Sequence, residues 1–348
     1  MLARLNDEIA ANGGWITFAR YMELALYEPG MGYYAGGAQK FGREGDFVTA
    51  PELGSLFGRT LARQLEELGD PILEFGAGSG ALAETLLSRR SFDYRIVEIS
   101  PQLQARQQAR LGTRARWLAR LPERIRGVVI ANEVVDAMPV HAVAWREQGI
   151  MERGVALANN LLAWEERPAT GELLEEAGRI EVRAPYESEI GLVARAWMRE
   201  IAARLDEGVI FIFDYGFPRS EYYHPQRASG TLMCHHRHRA HADVFARPGG
   251  EDITTHVDFT ALAGAAVDAG LEVLGYATQA QFLVNCGITD VLGEANVENA
   301  LHYAPLAAEA QKLLSPAEMG ELFKVLAVGR GVKAPLLGFS RGERSHSL

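Results

Sequence analysis

Three glycines at alternate positions, Gly76, Gly78 and Gly80, stand in the stretch "PILEFGAGSGAL", with an acid, Glu74, just ahead of them. The residues before the glycines have the pattern of a short buried strand, and those from 81 onward have helical periodicity. A strand, a glycine turn and a helix start make a site for a nucleotide-like molecule. The glycines let a ligand come close to the backbone, and the helix N-terminus offers free N–H donors and partial positive charge. The spacing fits G-x-G-x-x-G/A, the dinucleotide fingerprint, because Ala81 follows Gly80. It fits equally the acidic-x-G-x-G-x-G pattern of S-adenosylmethionine (SAM) sites, and the loop alone leaves both open. Glu74 discriminates between them: an acid ending a buried strand is costly unless it is partnered. In a dinucleotide fold that place is usually apolar, whereas in a SAM site the acid accepts hydrogen bonds near the methionine ammonium group. Glu98 ends the next strand, "DYRIVEIS", where its two oxygens can accept both ribose hydroxyls of either cofactor. Ile99 beside it belongs to the same cofactor group.

A second constellation follows the strand of "RGVVIANEVVDAMP". Ligands bind outside the carboxyl ends of parallel strands, so Asn132, Glu133 and Asp136 should face the site. Two carboxylates can hold a guanidinium or an amine through charge-assisted hydrogen bonds and turn a nitrogen lone pair toward a methyl donor. Tyr215, after the buried run "FIFD", is expected in the same crevice. His256 and Asp258 in "THVDF" either close it or start a helix. Ahead of the core, "GREGDFVTAPE" presents Asp46, Thr49 and Glu52 in a glycine-rich loop. As a lid it would exclude water from a sulfonium, and Asp46 and Thr49 are assigned to cofactor binding. Tyr33 and Tyr34 either line an aromatic channel or pack this lid on the core. "CHHRHRAH" invites a metal at Cys234, His235, His236, His238 and His241. Its spacing matches no common zinc site and Arg237 and Arg239 would repel a cation, so no metal is expected. A basic surface loop that meets an acidic partner fits better.

The elements that must position these residues alternate strand and helix, which argues for a parallel α/β sheet. With 348 residues, 48% of them hydrophobic, the chain can bury a large core. Residues 1–69 are expected as an N-terminal helical cap or lid. Residues 70–335 are expected as the core, with insertions at about 140–165, 217–252 and 285–320, and residues 336–348 as a loose tail. The insertion at 140–165 reads as β-hairpins. A formal charge of −10 argues against a nucleic-acid partner. Two cysteines make no disulfide framework. The start carries no apolar signal core and no apolar run reaches spanning length, so the expected location is cytoplasmic, without membrane insertion.

Several stretches resemble the MidA-like family of SAM-dependent methyltransferases: "ITFARYMELALYEPGMGYY", "GDFVTAPELGSLFG", "LEFGAGSGALA", "NEVVDAMPVH", "DYGFPRSEYYHPQRASGTL", "DITTHVDFTAL" and "TQAQFLVNCGI". They cover nearly the whole chain in the family's order. The resemblance implies a class I methyltransferase fold, a Rossmann-like seven-stranded sheet with helices on both sides and the last strand antiparallel. It makes Glu74, Gly76, Gly78 and Gly80 the first SAM motif, Glu98 the ribose acid, and the Asn132 loop the border of the methyl-transfer site. The family includes a mitochondrial complex I assembly factor that symmetrically dimethylates an arginine. The expected function is therefore N-methylation of a protein arginine, on a respiratory complex I subunit or its homologue. Glu133, Asp136, Tyr215 and His256 are the expected catalytic groups. A non-catalytic SAM-binding assembly chaperone is the alternative. An NAD-dependent oxidoreductase is disfavoured by Glu74 and by the long segment preceding the glycine loop.

Overall fold

Short apolar runs flanked by turn residues become the strands of one central sheet. The computed structural model describes residues 1–36, 49–237, 239–296, 298–333 and 335–348, with the backbone only at 302. Its central strands are β1 (Ile72–Phe75), β2 (Tyr94–Val97), β3 (Ala115–Trp117), β4 (Ile125–Asn132), β5 (Leu205–Phe217), β6 (Glu272–Thr278) and β7 (Phe323–Arg330). They lie in the order β6-β7-β5-β4-β1-β2-β3. β7 runs antiparallel to β5 and β6, and the remaining neighbours are parallel. This is the order and polarity of a class I methyltransferase, as the resemblance implies.

β5 shows why the sheet is covered on both faces. Phe211 and Phe213 point into one core cluster, while Ile210 and Ile212 point into the other. A strand buried on two sides reads as a continuous apolar run. On the first face lie α1 (Leu56–Leu68), α2 (Ala81–Arg89) and α3 (Pro101–Leu111). On the second lie α4 (Leu192–Arg204) and α5 (Phe259–Asp268). Local chemistry starts these helices where they begin. Ser100 accepts a hydrogen bond from the Leu103 N–H with Pro101 at the first helical position. Asp258 does the same for Ala261 at the start of α5. The first turn of α1 is capped from far away: Glu309 accepts from the backbone of Leu56 (2.6 Å) and Phe57 (3.3 Å).

The expected hairpins form a separate antiparallel sheet rather than an extension of the central one. Strands His141–Arg146, Gly149–Ala158 and Leu161–Pro168 pair in sequence, with Tyr186–Ile190 at one edge. Trp15–Thr17, inside the expected helical cap, adds a further strand. A third, three-stranded sheet consists of Met233–His236, Arg239–His241 and Asp252–Thr254. The expected loose tail is packed instead. Phe339 is buried against Phe282, and a Cβ at Gly275 would fall 2.2 Å from its ring, so glycine makes the room. The Arg344 N–H donates to the Tyr276 carbonyl at 2.6 Å. Polarity at 340–348 suggested a tail, but one buried aromatic anchor outweighs it. Among the described residues, no helix is long and apolar enough to cross a membrane.

Candidate active site

A cavity of about 480 Å³ opens at the carboxyl ends of β1, β2, β4 and β5. Among the described residues its lining holds six carboxylates (Glu52, Glu74, Glu98, Glu133, Asp136 and Asp252) and no lysine or arginine. Such a chamber attracts cations.

The glycine loop forms one end. Gly76, Gly78 and Gly80 all have positive φ (58°, 54° and 81°), which side chains rarely adopt. Gly76 and Gly78 line the cavity. Gly80 does not: a Cβ there would make only ordinary contact with Leu111 and Gln107 of α3, so what calls for glycine is the left-handed turn into α2. Glu74 is buried and accepts a hydrogen bond from the Tyr94 hydroxyl at 2.9 Å. Burial pushes its carboxyl up to about 8; the Tyr94 bond opposes that shift and the neighbouring Glu98 adds to it.

Glu98 is held from two sides, by the Ser100 N–H (2.9 Å) and by Gln107 Nε2 (2.8 Å). The same Gln107 amide donates to the Gly78 carbonyl at 2.9 Å, and its oxygen accepts from Trp117 Nε1 at 2.9 Å. Gln107 thus locks the glycine loop and Glu98 at a fixed separation. Glu98 lines the cavity, and each of its oxygens can accept a further hydrogen bond, which suits the two hydroxyls of a ribose. Ile99, 70% exposed, offers the adjoining apolar surface that a base would cover.

The loop after β4 carries the other acids. Glu133 adopts a left-handed conformation (φ 53°) and its N–H donates to the Phe213 carbonyl at 2.8 Å. Its Oε1 accepts from the Ala50 N–H (3.1 Å) and from Asn132 Nδ2 (3.3 Å). Burial first, then Asp136, pushes its carboxyl up to about 8, against those two hydrogen bonds. Asp136 is buried too and is pushed up to about 6, with the Tyr215 hydroxyl and the backbone N–H groups opposing. Its Oδ1 has no hydrogen-bond partner among the described residues. The loop is shaped by Asp214, fully buried, whose Oδ2 accepts from the N–H groups of Val135 (3.0 Å) and Asp136 (3.2 Å). Burial and the two neighbouring acids drive Asp214 well above the usual carboxylate range.

Opposite stand aromatic side chains. Tyr27 and Tyr34 stack with centroids 5.5 Å apart. The Tyr27 hydroxyl donates to the Ala137 carbonyl at 2.8 Å, and that of Tyr34 donates to the Asp252 carboxylate at 2.9 and 3.0 Å. Tyr33, its neighbour, is buried in the core instead. His256 packs edge-on to Tyr215 (5.2 Å) and flat on Phe217 (5.0 Å). Burial, Arg227 and Lys324 pull it down to about 4, so the imidazole is neutral at neutral pH. The two roles weighed for "THVDF" are divided: His256 faces the cavity and Asp258 caps α5.

Of the sequence-predicted residues, the cavity gathers Thr49, Glu74, Gly76, Gly78, Glu98, Ile99, Asn132, Glu133, Asp136, Tyr215 and His256. Asp46 lies outside the described residues, as does His238 of the histidine-rich stretch. Thr49 and Glu52 form part of the wall, and Glu52 is hydrogen-bonded to the Ser79 hydroxyl of the glycine loop. Sequence reasoning missed Tyr27, Gln107, Asp214 and Asp252. Tyr27 ends a helix whose periodicity reads as core, and Asp214 ends an apolar strand where only the acid-in-a-buried-run signal could have exposed it.

A family model described as "Putative S-adenosyl-L-methionine-dependent methyltransferase" matches residues 56–277. The chain is similar to the mitochondrial protein arginine methyltransferase NDUFAF7 homolog of Drosophila melanogaster, at 30% identity over 94% of this chain and 86% of the relative. It is 29% identical, over the same shares, to the mitochondrial protein arginine methyltransferase NDUFAF7 of Danio rerio. A crystal structure from Burkholderia thailandensis, bound to S-adenosyl-homocysteine, superposes with a TM-score of 0.96 at 50% identity, covering 100% of this chain and 96% of that one.

Proposed function

The chain belongs to this family of SAM-dependent methyltransferases, and from that premise we propose that it N-methylates an arginine side chain of a protein. SAM is the cofactor. The observation that carries the choice of acceptor is the charge of the cavity beyond the glycine loop, where Glu133, Asp136 and Asp252 line the wall with, among the described residues, no lysine or arginine beside them. The names of the curated relatives support the same acceptor.

The residues at the glycine end suit SAM. Glu74 would receive its ammonium group, Glu98 the ribose hydroxyls, and Ile99 the adenine, with Gly76 and Gly78 giving close backbone approach and Thr49 and Asn132 bordering the methionine end. When bound, SAM supplies an electrophilic methyl group. The protein must then present a nucleophilic nitrogen. A guanidinium is cationic at ordinary pH and its nitrogens are poor nucleophiles in water. Glu133 and Asp136 localise the positive charge on the nitrogens they bind, leaving electron density on the nitrogen turned to the methyl donor. Burial raises both acids, Glu133 far enough to keep its proton at neutral pH while the cavity lacks a cation. A guanidinium brings the counter-charge that lets them ionise. Asp136 then takes the proton released on methylation, and Tyr215 holds Asp136 in place. Alignment in a chamber shielded from water supplies much of the remaining acceleration. Symmetric dimethylation, and a respiratory complex I subunit or its homologue as acceptor, extend the same proposal by resemblance.

The test is label transfer. The purified protein is incubated with methyl-labelled SAM and a lysate of its own cells lacking the gene, and the labelled protein is hydrolysed to amino acids. Label in methylated arginine supports the proposal. Label in another residue refutes the arginine assignment, and SAM binding without any transfer favours a non-catalytic assembly role.

A further inference from the structure

The histidine-rich stretch holds a second constellation, which the linear spacing hides. Strands Met233–His236 and Arg239–His241 pair antiparallel with Cys234 directly opposite His241. On its other side Cys234 pairs with Ile253, so the chain entering that third strand brings Glu251 alongside. The Cys234 sulfur, a His241 ring nitrogen and a Glu251 carboxylate oxygen all lie within 4.8 Å of one another. His241 Nε2 faces Glu251 Oε2 at 3.1 Å.

We propose that Cys234, His241 and Glu251 bind one divalent transition-metal ion, zinc by donor chemistry, behind the wall of the active-site cavity. Thiolate, imidazole and carboxylate together are a donor set that borderline-soft zinc accepts. Glu251 supplies an independent observation. It is 1% exposed, yet its Oε1 has no hydrogen-bond partner among the described residues. A carboxylate oxygen buried without a partner is expensive, and a cation removes that expense. The objection from Arg237 and Arg239 weakens in three dimensions, because Arg239 is exposed to solvent and pairs with His236 rather than with Cys234. His241 is partly exposed, which leaves a coordination position open to water.

The place of the site gives the metal a task. Met233, His235, Asp252 and Thr254 of this small sheet line the cavity, and Asp252 follows Glu251 directly. A metal tying all three strands together would fix the wall that carries Asp252, a structural role that leaves methyl transfer to other residues.

The test measures metal on the full-length protein, without reference to activity. Protein produced with added zinc and freed of loose ions by gel filtration should retain about one zinc per chain. With cobalt(II) in its place, absorption should show a thiolate-to-metal charge-transfer band. Cys234→Ser should abolish that band, and His241→Ala should weaken zinc binding by about tenfold or more. Cys286→Ser, at the other buried cysteine, should change neither, and circular dichroism identifies any variant that fails to fold. Metal far below one equivalent with no cobalt band in the parent protein would overturn the proposal and leave a plain His241–Glu251 ion pair. So would zinc affinity and a cobalt band unchanged in Cys234→Ser and His241→Ala.

Discussion

At the residue scale the protein is a set of acids kept out of water. Glu74, Glu98, Glu133, Asp136 and Asp214 all titrate above their ordinary range, and burial is the largest cause each time. Their separate tasks follow from what each one touches. Asp214 accepts from the backbone N–H groups of Val135, Asp136 and Tyr215 and does not line the cavity, so it shapes the loop after β4 from behind. Glu98 faces the cavity, and Glu98→Ala should weaken S-adenosyl-homocysteine binding by roughly 1–3 kcal/mol, the scale of buried donors left unpaired. Titration calorimetry reads this directly, and unchanged affinity would remove Glu98 from the cofactor site. Gln107 touches Glu98 and Gly78 but does not line the cavity, so Gln107→Leu should raise the KM for SAM more than it lowers kcat. A fall in kcat with the KM for SAM unchanged would contradict a positioning role.

At the scale of elements, much was legible because alternation and periodicity carry the signal. "GVIFIFDYGF" reads as a strongly apolar strand of the core, and the glycine loop as the joint between a strand and a helix; both follow from local patterns. The acid–glycine spacing marked the cofactor end, and the polar loop after β4 marked the other. What stayed hidden depends on contacts between distant segments. Trp15–Thr17 is a three-residue strand whose partner lies near residue 155, and nothing local announces it. Phe339 packs through a glycine more than sixty residues earlier in the chain, at position 275. Cys234 meets Glu251 only once the third strand folds back. The cap on α1 is of the same kind. Removing its acceptor by Glu309→Ala should cost about 1–3 kcal/mol, seen as a lower urea midpoint, whereas Glu309→Gln should keep most of the stability. Equal midpoints for Glu309→Ala and the parent would show that water caps the helix as well.

The whole molecule gathers these acids into one chamber on a chain of net charge −10, and its stability must therefore depend on pH. Glu74 and Glu133 move from an ordinary 4.5 to about 8 on folding. Between those values the folded state holds protons that the unfolded state has released. Stability of the ligand-free protein should consequently fall as pH rises through that window. The slope of Tm against pH should flatten in Glu74→Gln, and an unchanged slope would mean that Glu74 ionises freely in the fold. Cofactor binding joins the segments around the chamber, so amide exchange should slow at residues 49–53 and 76–82 when S-adenosyl-homocysteine saturates the protein. Unaltered exchange at 49–53 would separate that segment from the cofactor site. On the proposed function, the paired acids beyond the glycine loop activate a cationic nitrogen for methylation. The most direct measurement compares Glu133→Gln and Asp136→Asn with the parent, reading SAM affinity by calorimetry and methylarginine formation on the acceptor by mass spectrometry. Affinity nearly intact with methylation slowed by about a hundredfold or more is the expected result. Methylation at the parent rate in both variants would contradict it and send the search for the acceptor groups to Tyr215 and His256.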